Sequence, residues 1–245
     1  MTATLQIKNL TKDFGKIKAV DNCSFSAKNG EIIALLGPNG AGKSTLMNMI
    51  SGYLAPSGGE IFILNKNIQN NSLFAKQNIG YLPEGAPAYP DLSVRDFLGY
   101  MAELRGFRGK EKQQIIAEIA KTAKIENILS QKNETLSKGY QRRVGFAQSI
   151  ISDPPILLLD EPTDGLDPNQ KQHIRALIFA MKKNKTILIS THLLDEAESL
   201  CDRIILINRG KIMADGNLAH ILKQAKAASL EEAFHNLTLG AQDNE

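Results

Sequence analysis

The stretch that most constrains this chain is residues 31–52, EIIALLGPNGAGKSTLMNMISG. A short, almost wholly apolar run, Glu31–Leu36, feeds a loop with glycines at 37, 40 and 42. A helix-forming run follows from about Lys43 to Ser51 and stops at Gly52. A strand that is apolar at every position belongs inside a sheet covered on both faces. The loop has the spacing GxxxxGK[ST], in which backbone N–H groups wrap phosphate, the lysine reaches the terminal phosphates and the hydroxyl meets Mg²⁺. Glycines permit positive φ there and let the backbone approach a ligand. The N-terminus of the following helix adds free N–H groups and a favourable dipole for anionic oxygens. On this reading Gly37, Pro38, Asn39, Gly40, Ala41, Gly42, Lys43, Ser44 and Thr45 form a phosphate cradle, with Lys43 on the β- and γ-phosphates and Ser44 on Mg²⁺. A glycine-rich turn that merely starts a helix would need neither the strand before it nor the complete motif.

The remaining chain extends the same alternation. Strands are predicted at Leu5–Leu10 and Cys23–Ala27, then at Ile61–Leu64 and Ile79–Leu82. From Ser93, a good N-cap, to Ile151 the pattern is helical, with Ile115, Ile119 and Ala123 on one stripe of a helix over residues 110–128. After Pro154–Pro155 the expected order is strand Ile156–Asp160, helix Asn169–Lys183, strand Thr186–Ser190, helix Leu193–Leu200, strand Arg203–Asn208 and strand Lys211–Ala214. The run SLEEAFHNLTLG, residues 229–240, reads as an amphipathic packing helix. Alternating strands and helices predict a mostly parallel sheet covered on both faces.

Composition narrows the classes further. The longest apolar run, Ala176–Met181, is too short to cross a bilayer. The opening MTATLQIKNLTKD has no apolar core of the kind a secretory signal needs. A dispersed net charge of +3 over 245 residues favours a solvated mixed surface, with no nucleic acid as partner. Cys23 and Cys201 form no metal or redox motif, so buried thiols in a reducing cytosol are expected.

Two further clusters fall where a phosphate site needs them. The apolar run Ile156–Leu159 ends in Asp160–Glu161, at the strand end where open α/β sheets bind ligands. Asp160 is suited to Mg²⁺ and Glu161 to polarising a water in line with the γ-phosphate. An acidic strand end that caps the next helix is the plainer alternative. His192 follows strand Thr186–Ser190 at the same edge, but a lone histidine reads by itself as surface or filler, as do His173, His220 and His235. LSKGY, residues 136–140, precedes the acidic strand, and Ser137 is also a good N-cap for the helix beginning near Tyr140.

With GPNGAGKST, LSKGY, the strand ending in Asp160–Glu161 and Ser190–Thr191–His192 in this order, the chain resembles the ATP-binding cassette ATPases. The resemblance implies an α/β fold: a P-loop NTPase core with a mostly parallel sheet, an N-terminal antiparallel β region and an inserted α-helical subdomain. It implies one cassette over residues 1–245, with residues 1–85 and 154–245 as the nucleotide-binding core and 86–153 as the helical subdomain carrying the signature. ATP and Mg²⁺ are the implied cofactors.

The resemblance also assigns roles. Glu161 and His192 would be catalytic, with Asp160 and Ser44 on the metal. LSKGY departs from the common LSGGQ at Lys138 and Tyr140 but keeps Ser137 and Gly139, which in this family face the γ-phosphate held by the other subunit. Asp164–Asp167 matches the loop crossing that seam. Phe14, ahead of Gly15, matches the aromatic that stacks on adenine, a core aromatic being the alternative. Glu84 stands where the family usually has glutamine; it keeps an oxygen for the metal but adds charge, so a direct, a water-mediated or no contact stays open, and a coupling role is expected. Gly85, Pro87 and Pro90 would stiffen the loop behind it, and Tyr89, Leu92 and Phe97 would line an apolar groove for a short helix of the membrane subunit.

The implied protein is a transporter ATPase subunit, working as a homodimer or heterodimer on an integral membrane permease subunit and peripheral on the cytoplasmic face. The combination of Glu84, LSKGY and the run SLEEAF is similar to cassettes serving ABC-2-type exporters, including gliding-motility-like systems. A soluble ABC protein of DNA repair or translation would need a long coiled-coil insert or a second cassette. An ATP-sensing module without turnover would have no use for Glu161 and His192.

Overall fold

In the computed structural model, residues 3–86 and 88–238 are described; Pro87, and residues 239–240 of the expected last helix, lie outside them. The chain opens with two long strands, β1 (Ala3–Phe14) and β2 (Ile17–Lys28), which pair antiparallel. The buried strand β3 (Glu31–Leu36) then leads through the glycine-rich loop into α1 (Lys43–Ile50). Strands β4 (Gly58–Ile63) and β5 (Lys66–Asn67) return to the first sheet, followed by α2 (Ser72–Asn78) and β6 (Ile79–Leu82). The helical insert holds α3 (Val94–Leu104), α4 (Gly109–Ala123) and α5 (Lys138–Ser149). Then come β7 (Ile156–Asp160), α6 (Pro168–Met181), β8 (Thr186–Thr191), α7 (Leu194–Leu200), β9 (Arg203–Asn208) and β10 (Lys211–Gly216). Helices α8 (Leu218–Ala225) and α9 (Leu230–Thr238) close the described chain.

The strands form two sheets. One is antiparallel, in the order β2-β1-β4-β5, and the other runs β10-β9-β3-β8-β7-β6. In the second, the pairs from β9 through β6 are parallel and only β10 runs antiparallel, at one edge. Side chains alternate across a strand, so a continuous apolar run serves two cores. Leu157 and Leu159 of β7, with Ile187 and Ile189 of β8, pack toward the helical insert. Ile156, Leu158 and Leu188 face the opposite way, toward the antiparallel sheet and α1. Helices α7, α8 and α9 cover Ala34 and Leu36 of β3.

Most predicted elements are present, with instructive shifts. The helix expected over residues 110–128 ends at Ala123, because Lys124 turns left-handed at φ 54° and a short 3₁₀ turn, Glu126–Ile128, follows. Its buried stripe is Ile116, Ile119, Ala120 and Ala123, with Ile115 only partly covered. Helices α2 and α8 were not anticipated. For α8 the signal is local: the Asn217 side chain accepts a hydrogen bond from His220 N at 2.9 Å, capping the helix. Both thiols behave as filler: Cys23 is buried with Sγ donating to Gly210 O at 3.1 Å, and burial pushes its pKa up to about 11. Desolvation shifts Cys201 in the same direction.

Helix α5 lies so close to the second sheet that glycine is required beneath it. A Cβ at Gly80 of β6 would sit 1.9 Å from Ser149 O. Overpacking of this kind costs about 1–3 kcal/mol, so Gly80→Ala should lower unfolding free energy by that order in a urea titration. At Gly58 a Cβ meets nothing within 4 Å; the matching Gly58→Ala control should change stability by under about 0.5 kcal/mol. Equal losses at the two positions would show that helix–sheet contact does not set the requirement.

Candidate functional site

Parallel register brings the motif residues to one edge. Leu36 pairs with Thr191, Asp160 with Ser190 and Leu82 with Leu159, so β3, β8, β7 and β6 end side by side. The loops leaving them carry Gly37, His192, Glu161 and Glu84. A cleft of about 410 Å³ opens at this edge. Its floor is Asn39, Gly40, Gly42, Lys43, Ser44 and Thr45, and Glu84, Glu161, His192 and Ala19 of β2 form the walls.

The glycine-rich loop is shaped by two different demands. Gly42, the residue before α1, has φ 103°, and a Cβ there would lie 2.3 Å from Ala19 O. Gly37 is not in the positive-φ region expected for it. Its need is steric: a Cβ would fall 2.2 Å from Ile207 O of β9. Lys43 is folded back into the loop it follows, its Nζ donating to Gly37 O at 2.7 Å and Pro38 O at 3.0 Å. Two of its three protons are thus used and one remains for a ligand. Desolvation lowers the Lys43 pKa from the usual lysine value, opposed by the nearby carboxylates of Glu161, Asp160 and Glu84. Gly37 and Ala41 are buried behind the cleft.

Asp160 is 1% exposed at the end of β7. Ser190 Oγ of β8 donates a short hydrogen bond to its Oδ1, while Oδ2 is buried with no partner among the described residues. An acceptor left over in this way suits a hydrated divalent cation, and with the Ser44 hydroxyl in the cleft the oxygen donors fit Mg²⁺. Glu161 is held in the left-handed region at φ 50°, its N–H donating to Ser190 O at 3.0 Å. Its Oε1 lies 2.8 Å from His192 Nδ1. An ionised carboxylate only accepts, so Nδ1 carries the proton in this pair. An acidic strand end serving only as a helix cap is not what is seen: the next helix, α6, is capped by Asp167, whose side chain accepts from Gln170 N.

Other expected residues lie apart from the cleft. Ser137 caps α5, accepting from Tyr140 N, and is exposed; Gly139 is buried against Gln170. Neither lines the cleft among the described residues. Phe14 is not a core aromatic, since it is 51% exposed, with Lys12 Nζ 5.1 Å from its ring centre. The groove expected at Tyr89, Leu92 and Phe97 is not formed by them. Phe97 is buried in the helical core and Leu92 packs against it, while Tyr89 stacks edge-on over Phe97 and Tyr100. The exposed side chains of Tyr53, Leu73 and Leu104 gather instead in a cleft of about 530 Å³ between α1, α2 and α3, which the half-buried Tyr81 and Met101 also line.

Two functional candidates escaped the sequence: Ser190, which fixes Asp160, and Arg142 of α5, which is 5% exposed. The readable signal for Arg142 is that it shares a helical face with the small residues Gly145 and Ser149. Replacing Ser190 by Ala leaves both Asp160 side-chain oxygens without a partner among the described residues. The expected cost is about 1–3 kcal/mol of stability, read from chemical denaturation at neutral pH. An unchanged midpoint would mean that Asp160 is satisfied by other means.

Comparison with known proteins is consistent with this geometry. The ABC transporter family model matches residues 20–164. The probable multidrug ABC transporter ATP-binding protein YbhF of Escherichia coli (strain K12) is 38% identical over 242 residues, which cover 95% of this chain and 41% of that protein. The Nod factor export ATP-binding protein I of Burkholderia orbicola (strain AU 1054) is also 38% identical, over 87% of this chain and 71% of its own length. The chain thus spans less than half of the first relative and most of the second. Among solved structures, an ATP-binding subunit of an ABC transporter superposes with a TM-score of 0.88 at 30% identity, covering 96% of this chain and 99% of that one. The dimeric cassette MJ0796, in a post-hydrolysis state bound to ADP and Pi, superposes with a TM-score of 0.82 at 28% identity, over 87% of this chain and 98% of its own. Family model, relatives and fold agree: the chain belongs to the ABC transporter family.

Proposed function

We propose that this chain binds and hydrolyses Mg·ATP as the ATPase subunit of an ABC transporter, with export as the direction of transport. The observation that carries the reading is the Glu161–His192 pair at 2.8 Å, facing the same cleft as Lys43 and Ser44. In this reading the glycine-rich loop and Lys43 bind the phosphates, and Phe14 stacks on the adenine. Ser44 and Asp160 hold Mg²⁺, with Glu84 as a further oxygen at the cleft wall and a link to the helical insert. Bound there, the ion would neutralise charge on the phosphate oxygens. Glu161 accepts the proton of the attacking water, and His192 Nδ1–H holds its carboxylate in place. Glu84 is exposed and Glu161 half-buried, which supports giving the proton transfer to Glu161.

The exposure of Ser137, away from the chain's own cleft, supports a dimer in which each signature completes the partner's site. The dimeric ADP-bound relative supports the same arrangement. Among the described residues no helix is long and apolar enough to cross a membrane. The relatives described as ATP-binding proteins of transporters support assigning the membrane-spanning path to a separate permease subunit, with this chain peripheral on its cytoplasmic face. A short helix of that subunit is given the cleft of Tyr53, Leu73 and Leu104, whose side chains are 84%, 68% and 62% exposed. Residues 1–85 and 154–245 would act as the nucleotide-binding core and 86–153 as the helical subdomain.

Glu161→Gln removes the base while keeping the shape. Hydrolysis should fall by about 10²–10⁴-fold with ATP binding retained, and light scattering should then show an ATP-dependent dimer. A variant that turns over ATP at the wild-type rate would sink the catalytic assignment. For the permease cleft, Leu104→Glu should leave ATPase activity of the isolated chain intact and abolish co-purification with the membrane subunit. Retained co-purification would move the contact elsewhere.

A further inference from the structure

Arg142 makes more contacts to main-chain carbonyls than the packing of one helix demands. Its Nε donates to Glu161 O at 3.0 Å and its Nη1 to Pro83 O at 3.0 Å. Its Nη2 reaches both Asp160 O and Glu161 O at short range. One buried fork thus joins three elements: α5, which begins at the capping Ser137; the end of β7, with Asp160 and Glu161; and the exit of β6, one residue before Glu84. Few side chains other than arginine hold several fixed donors in one plane, and lysine does not.

The surroundings leave the fork little freedom. A Cβ at Gly145, one turn along α5, would meet Ala86 Cβ at 2.7 Å and Leu82 Cδ1 at 2.8 Å. Helix and loop therefore lie in direct contact beside Arg142. Burial lowers the Arg142 pKa, while Asp160, Asp164, Glu161 and Glu84 raise it. The guanidinium is thus a second cation, beside Lys43, near the carboxylates of the site. Glu161 has a left-handed backbone, a conformation that a residue with a side chain adopts only where neighbours hold it. Its carbonyl oxygen accepts from Arg142 and also from Asp164 N, at 3.1 Å.

We infer that Arg142 is a positioning residue for hydrolysis: it clamps the Glu161 peptide and the Pro83 carbonyl to helix α5, so that the carboxylate, the Glu84 loop and the signature helix move as one unit. The inference rests on the proposed role of Glu161 and goes beyond it. Arg142 acts without touching substrate. The signature segment of one subunit is thereby mechanically tied to the reacting carboxylate of the same subunit, although that segment serves the partner's nucleotide.

The test is a double-mutant cycle on the full chain. Arg142→Lys keeps the charge and one donor group but loses the fork. Displacing a reactive group by about 1 Å costs on the order of 100-fold, so kcat should fall by roughly 10- to 100-fold. ATP affinity, read with a fluorescent ATP analogue, and KM should stay close to wild type. In the Glu161→Gln background, the single-turnover rate should not fall further when Arg142→Lys is added, because both changes disable one device. Gly145→Ala, which forces α5 away from Ala86 without touching Arg142, should reproduce the kcat loss and the unchanged affinity. A lowered melting temperature with unchanged kcat would make Arg142 merely structural and overturn the inference. An equal fold-loss in the wild-type and Glu161→Gln backgrounds would overturn it too, since Arg142 would then act independently. A wild-type rate for Glu161→Gln alone would overturn the catalytic assignment itself, and this inference with it.

Discussion

The parallel pairing of β3, β8, β7 and β6 is the constraint from which the rest of the site follows. Parallel strands end at the same edge, and successive register pairs leave no freedom in where each following loop begins. Gly37, His192, Glu161 and Glu84 lie far apart in sequence, yet each is the first or second residue beyond its strand. Sheet geometry alone brings them together. Side-chain contacts such as Ser190 to Asp160 then fix how the individual groups point. That order of causes explains why the strands are mostly apolar along their length: both faces must be covered for parallel strands to be kept, and the two cores on either side of β7 do so.

Much of this arrangement could be read in the sequence, because the informative signals are local. The phosphate loop is nine consecutive residues, and β7 announces itself as four aliphatic residues followed by two acids. Where the signal is long-range, the reading fails or shifts. The spacing reads conformational freedom into Gly37, but its requirement comes from Ile207 of the neighbouring strand β9, far along the chain. The groove expected at Tyr89, Leu92 and Phe97 lies elsewhere because Phe97 turns inward on α3, a matter of which helical face meets α4 and α5. The stop at Lys124 was missed because lysine is an ordinary helix residue, and its left-handed turn is set by Ile125 docking in the core.

Arg142 shows the same limit from the other side. In sequence it is one charge among Lys138, Arg142 and Arg143 on a helix of ordinary polarity. In the fold its neighbour Arg143 turns away to donate to Lys124 O and to cover the Tyr140 ring, while Arg142 turns beneath the sheet edge. Adjacent side chains on a helix are about 100° apart, so the direction of the sheet decides which of two identical residues is buried at the site.

The backbone of Glu161 has a consequence for how such a chain can change over time. A left-handed position is occupied most comfortably by glycine, and next by asparagine. Any drift at residue 161 toward greater conformational ease therefore leads away from a carboxylate. With Glu161 in the role proposed above, ease of folding and turnover make opposite demands on this one position.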